Sequence, residues 1–246
     1  MLRSSFTVRA LVAGFLVVAA TPQVHAEEAT LAAGAGFRRP LAELAAAYEA
    51  RSGHKILQIY GHLGQVVAQA RESNQIAIVC GDKAVLAHAR GVSFQRMVPL
   101  GLGKLVIAFR KGLSLDRAQD IARADIRRIG IPDQANAIYG KAGRQFLERT
   151  QLAAAVDPRL IAVATVPQVT SYVVSGEVDA GFVNATDAIG AGAAIGGFVE
   201  VDASLYDPVE VSCGLRAGGA PSAAVEGFAA FLQTDAARAI TRRYGL

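Results

Sequence analysis

Signatures of catalysis are missing from this sequence. It contains no GxSxG elbow, no HExxH pair, no Walker loop and no GxGxxG after a strand. The triplet Gly34-Ala35-Gly36 is too short for a dinucleotide fingerprint. Histidine occurs four times; beyond the N-terminal segment only His54, His62 and His88 remain, isolated and without metal-ligand spacing. Lys and Arg number 25 against 21 Asp and Glu, a formal net charge of +4. They form no long basic run, which argues against nucleic-acid partners. No apolar stretch reaches the ~20 residues that cross a bilayer. Cysteine occurs twice, at Cys80 and Cys213, in the apolar strand-like runs IAIVC and VEVSC. Two buried free thiols are the expectation. A disulfide is the alternative, and it requires Cα atoms within about 7 Å.

What is present starts at the N-terminus. Residues 1–26 carry Arg3 and Arg9 and no acidic residue, then an apolar run over 10–20, then small residues up to Val24-His25-Ala26. That is the layout of a secretory signal peptide cleaved after Ala26. No cysteine stands near the junction, so a lipoprotein anchor is not expected. Export implies an oxidising compartment, which allows a disulfide. Losing Arg3 and Arg9 lowers the formal net charge to +2. Hydrophobic residues make up 52% of the chain, enough for one large domain or two modest ones.

Beyond the leader, strand-like and helix-like segments alternate. Strands are expected at 29–33, 55–60, 76–80, 105–109, 126–131, 160–164 and 180–183. Pro40 opens a helix that places Leu41, Leu44 and Tyr48 on one face and closes at Gly53. Further helices are expected at 64–71, 83–90, 139–149, 169–175, 223–232 and 235–244. Such alternation predicts an α/β architecture of open, mostly parallel sheets, which bind ligands at the carboxyl ends of their strands. The loops to inspect are therefore 34–37, 61–64, 133–138, 165–169 and 184–187. Each is small or polar and precedes a helix, where unpaired N–H groups and the helix dipole favour an anion. One such turn alone is ordinarily a connection, whereas several aimed at one crevice make a site. Asp82 is expected to cap a helix. His54 and His88 are expected at the surface, and His62 lies inside a candidate ligand loop.

The stretches LAAGAGFRRPLAELAAAYEARSGHKI, YGHLGQ, PDQANAIYGKAGRQFLE, TVPQVTSYVVSGEVDAGFVNATDA and DAARAITRRYGL follow one another as in a known family. In order and spacing the chain resembles the periplasmic molybdate-binding proteins of ABC importers. The resemblance implies a two-lobed type II periplasmic binding fold, each lobe a mostly parallel sheet flanked by helices. Residues 27–103 with 207–246 would form one lobe and 104–206 the other. It implies ligand contacts at Ala35 or Gly36, Leu63 or Gly64, Ala137, Val169 and Asn184, mainly through backbone N–H groups. Serine hydroxyls usual in the family's first two loops are absent here, and Asn184 stands where the family often has tyrosine. His62 and Asn184 are candidate replacement donors, and Arg38 or Arg39 could add charge. The resemblance further implies molybdate or tungstate as bound ligand, with no cofactor and no catalysis. It implies a membrane permease as partner, a periplasmic location and a monomer that does not span the membrane. Alternatives are the same fold holding another solute or a metal ion, for which Tyr60, His62 and Tyr139 would have to converge, and a sensory module. An exported enzyme on an α/β scaffold has no nucleophile–base arrangement to support it.

Overall fold

The computed structural model describes residues 26–218 and 222–246; the expected leader, up to His25, lies outside the described residues. Within them the chain forms ten strands. These are β1 (Glu28–Gly34), β2 (Lys55–Gly61), β3 (Ile76–Asp82), β4 (Phe94–Gly103), β5 (Leu105–Phe109), β6 (Ile129–Pro132), β7 (Leu160–Val163), β8 (Ala180–Asn184), β9 (Gly197–Glu200) and β10 (Val209–Arg216). The helices are α1 (Arg38–Ser52), α2 (Leu63–Glu72), α3 (Lys83–Ala87), α4 (Ile138–Arg149), α5 (Ala153–Val156), α6 (Val166–Ser175), α7 (Ala185–Ala191), α8 (Ala223–Phe231) and α9 (Asp235–Arg243).

The strands divide into two five-stranded sheets, ordered β2-β1-β3-β10-β4 and β7-β6-β8-β5-β9. The chain passes from the first sheet to the second between Gly103 and Leu105, and returns between Glu200 and Val209. Each sheet is mixed. β1 pairs in parallel with β2 and β3, and β6 with β7 and β8; β10 and β5 are antiparallel to both of their neighbours. The parallel halves are the strand–helix units legible in the sequence. The antiparallel halves belong to strands that enter or leave a lobe, where no crossover helix announces them. β4 and β9, edge strands outside the expected set, lie in these halves.

Local chemistry explains the helix ends. Gly53 and Gly176 take left-handed conformations, with φ of 75° and 77°, and stop α1 and α6. Asp82 caps α3 by accepting from Val85 N at 2.9 Å; burial raises its carboxyl above the ordinary range, partly opposed by the backbone N–H bonds of Val85 and Ala84. His88 is exposed. His54 is not. It is buried, stacked on Tyr48 at 6.3 Å, and its Nδ1 accepts from Glu27 N at 3.0 Å. The helix-ending glycine turns it inward under the N-terminal strand.

The two cysteines are joined, contrary to the expectation of free thiols. β10 pairs with β3 in a register that sets Cys213 opposite Cys80, with Cα atoms 4.0 Å apart and the disulfide formed. The main apolar core is continuous across both sheets and includes Phe37 and Leu41 of the first lobe and Tyr139, Phe146 and Phe182 of the second. A smaller cluster of Ala32, Leu63, Val66, Val79 and Leu86 seats α2 and α3 on the first sheet.

Candidate functional site

Between the lobes lies a cleft lined by Gly34, Ala35, Gly36 and Phe37 after β1; Gly61, His62 and Leu63 after β2; Ala137, Ile138 and Tyr139 after β6; and Thr165 and Val166 after β7. All four segments sit at carboxyl ends of parallel strands, where open α/β sheets bind their ligands. The cavity volume open to the centre of a water-sized sphere is about 20 Å³. Widened by a water radius of about 1.4 Å, that space holds a sphere of roughly 3 Å radius. This is the size class of a small tetrahedral oxyanion, well below that of a sugar.

The donors are set by where each helix starts. The first turn of a helix leaves N–H groups without an intrahelical acceptor. Ala35 and Gly36 open the 3-10 turn that leads into α1. At α2, Val66 N bonds to His62 O, Gln65 N to His62 Nδ1 and Gly64 N to Asn136 O, which leaves Leu63 N. At α4, Lys141 N takes Ala137 O, leaving Ile138 and Tyr139 in the cleft. At α6, Val169 N takes Thr165 O, leaving Val166. Four helix starts from two lobes thus face one small space. Neither Lys nor Arg lines it. Arg38 stacks over the Tyr60 ring at 5.7 Å, and Arg39 is paired with Asp187 at 3.1 Å.

The structure therefore brings Ala35, Gly36, His62, Leu63 and Ala137 to the cleft wall. Ala137 contributes surface rather than a donor, because its N–H is held by Asp133 O at 2.9 Å. Gly64 stands beside the cleft and links the lobes, its N–H reaching Asn136 O at 3.3 Å. Val169 is not at the wall. It is fully buried, against the positions where Cβ atoms of Gly130 and Gly181 would stand. The helix starts at Val166 rather than Val169, so Val169 lies one turn inside. Asn184 is also fully buried and outside the wall. Its Nδ2 donates to Gly36 O at 2.9 Å and its Oδ1 accepts from Asp187 N at 3.2 Å, so it clasps the lobes and caps α7. Thr186 Oγ1 donates to the same Gly36 oxygen at 2.8 Å. On the same rim Asp187 also accepts from the Thr170 hydroxyl.

Thr165, Val166 and Ile138 fall inside the loops expected at 165–169 and 133–138, and Tyr139 belongs to the metal alternative, but none of the four is among the expected anion contacts. A signal for the first two existed: Thr165-Val166-Pro167 reads as an N-cap followed by a proline in the first turn. The Thr165 hydroxyl does not cap α6, and Thr165 belongs to the cleft wall. His62 Nδ1 accepts from Gln65 N at 3.1 Å, so in the neutral ring Nε2 carries the proton and is a donor. Tyr60, His62 and Tyr139 do not converge. Tyr60 is not part of the wall; its hydroxyl bonds Gln58 Oε1 at 2.5 Å, and burial, opposed by Arg38, pushes its phenol up to about 12. Among the described residues no group of three or more His, Cys, Asp or Glu could hold a metal ion.

Comparison with known proteins settles the lineage at this geometry. Residues 29–246 match the family described as bacterial extracellular solute-binding protein. The chain belongs to that family. As a family member it is 26% identical to the molybdate-binding protein ModA of Rhodobacter capsulatus, with 99% of this chain and 96% of that protein covered. It is 25% identical to ModA of Azotobacter vinelandii over 96% and 94% of the two chains. The solved Azotobacter vinelandii periplasmic molybdate-binding protein superposes with a TM-score of 0.79 at 25% identity, covering 88% of this chain and 97% of that one. The fold is thus the two-lobed α/β fold of periplasmic binding proteins. Among the described residues no helix is long and apolar enough to cross a membrane.

Proposed function

We propose that this solute-binding protein captures a tetrahedral oxyanion, molybdate or tungstate, in the periplasm and passes it to the membrane permease of an ABC importer. The observation that carries the reading is the convergence of four helix starts, two from each lobe, on a cleft of oxyanion size with no cationic side chain in its wall. Backbone N–H groups survive the loss of serine side chains, because any residue except proline supplies one. Two side-chain donors complement them: Thr165 Oγ1 from the second lobe and His62 Nε2 from the first. The names of the Rhodobacter and Azotobacter relatives support the choice of anion. Binding rather than turnover is the proposed activity. Because both lobes contribute donors, an anion bridging them favours the closed form.

Titration calorimetry with molybdate, tungstate and sulfate tests the reading directly; absence of both heat and thermal shift with all three would refute it. A sharper expectation concerns Thr165. A hydrogen bond to a charged group contributes about 1.5–3 kcal/mol, so Thr165→Val weakens anion binding by roughly ten- to a hundredfold. Its melting temperature without anion stays near that of the parent. Unchanged affinity would remove Thr165 from the donor set.

A further inference from the structure

Tyr139 carries a hydroxyl that packing does not explain. Tyr139 is the second residue of α4 in the second lobe, and its ring meets Phe37 of the first lobe edge-on, with centroids 6.0 Å apart. The hydroxyl oxygen is buried and has no hydrogen-bond partner among the described residues. Asn184 is the neighbouring polar side chain; one of its two Nδ2 hydrogens goes to Gly36 O and its Oδ1 accepts from Asp187 N, and although the other Nδ2 hydrogen lies on the Tyr139 side, no hydrogen bond of good geometry joins the two side chains. The hydroxyl sits 2.1 Å from the point where a Cβ on Gly103 would stand; side-chain carbons of Val209 and Val211 lie 3.2 and 3.3 Å from that point. Gly103 is the last residue of β4, where the chain crosses to the second lobe. The hydroxyl is thus enclosed by the first lobe, the second lobe and the crossing strand, against apolar carbon and without a hydrogen bond of good geometry.

We infer that Tyr139 acts as a brake on lobe closure, its hydroxyl giving up water when the lobes shut and receiving no hydrogen bond in return. Parting the lobes draws Phe37 away from the ring and admits water to the hydroxyl; closing them reverses this. Leaving a buried hydroxyl unpaired shifts such an equilibrium by roughly tenfold, about 1.4 kcal/mol. A phenylalanine would fill the same space against Phe37 without that penalty. The hydroxyl therefore makes closure conditional: the empty protein stays open and the anion's contacts with both lobes supply the difference. This regulation acts on the site proposed above, and its affinity arm rests on that reading, whereas its conformational arm does not.

The sign of the effect separates a brake from a ligand contact. Removing a contact weakens binding, and removing a brake tightens it. For Tyr139→Phe in the full mature chain, small-angle scattering without added anion is expected to show the closed-to-open ratio raised about tenfold. Molybdate affinity should rise by a similar factor, and the melting temperature should not fall. Gly103→Ala provides an independent lever: its methyl group meets the hydroxyl, favours the open form, and is relieved when combined with Tyr139→Phe. An unchanged ligand-free distribution in Tyr139→Phe would overturn the inference. So would weaker molybdate binding, which would assign the hydroxyl to the ligand, or a lower melting temperature, which would mean that the hydroxyl is satisfied. If neither molybdate, tungstate nor sulfate binds parent or variant, the oxyanion reading fails, while the scattering comparison still decides the brake.

Discussion

Asn184→Asp is expected to weaken anion binding by a hundredfold or more at pH 8 while leaving the fold intact. The substitution keeps size and shape. It also keeps the cap of α7, because an oxygen still accepts from Asp187 N, now bonded to Asn184 Oδ1 at 3.2 Å. What it reverses is the clasp. Asn184 Nδ2 donates to Gly36 O at 2.9 Å; a carboxylate there turns an oxygen toward an oxygen and places a fully buried negative charge behind the anion cleft. Leaving an uncompensated charge buried there costs about 3–5 kcal/mol, and repulsion of the bound anion acts in the same direction. The effect has a pH signature. Burial raises the introduced carboxyl's pKa, and below it the protonated group donates to Gly36 O again, so affinity recovers as pH falls toward 5. Calorimetry at pH 8 and pH 5 reads both parts. Equal affinities of parent and variant at pH 8 would show that the clasp does not support the closed cleft. Asn184→Ala, which removes the donor without adding charge, should fall between the two.

Loss of the Cys80–Cys213 bond should produce the largest change in stability. The bond joins residues 133 apart in sequence, enclosing β4, the whole second sheet and the return crossing. On the chain-entropy account, closing a loop of that length stabilises the fold by roughly 4–5 kcal/mol. For a chain of this size that corresponds to a melting temperature lowered by about 10–20 °C. The double variant Cys80→Ala with Cys213→Ala, followed by circular dichroism, measures it, with reductant-treated parent as a second route. Both sulfurs are inaccessible to solvent, so reduction should be slow in the native state and fast near the unfolding transition. A drop of under about 2 °C in the double variant would mean that the denatured chain gains little freedom when the bond is absent.

The cleft was partly legible because its signals are local. Glycines in the first loop, His62 ahead of α2 and the small residues ahead of α4 mark βα turns whatever the rest of the chain does, and five of the eight expected contact residues line the wall. Val169 and Asn184 lie outside the wall for different reasons. Choosing Val169 over Thr165 and Val166 turned on where α6 begins, a matter of one helical turn, and that turn separates a free N–H in the cleft from one held by Thr165 O. Asn184 stands at the end of β8, at the position the family resemblance implies, but its side chain grips Gly36 instead of lining the cleft. That depends on a contact between residues 148 apart. The two are coupled, since a Cβ on Gly36 would stand 2.9 Å from Asn184 Nδ2.

The amino-acid sequence by itself determined the alternation of strands and helices, the glycine and proline punctuation of α1 and α6, and the run of small residues that lets backbone face a ligand. Each of these is a property of neighbours along the chain, governed by backbone conformational freedom and side-chain periodicity. Tertiary structure alone decided that β10 returns antiparallel beside β3, so that two apolar strands meet at Cys80 and Cys213. It also decided that Gly36 and Asn184 close one rim and that the Tyr139 hydroxyl is shut in at Gly103. Those outcomes are distances between residues far apart in sequence: the first arises when the chain returns to its own sheet, the other two when two lobes pack around a common crossing.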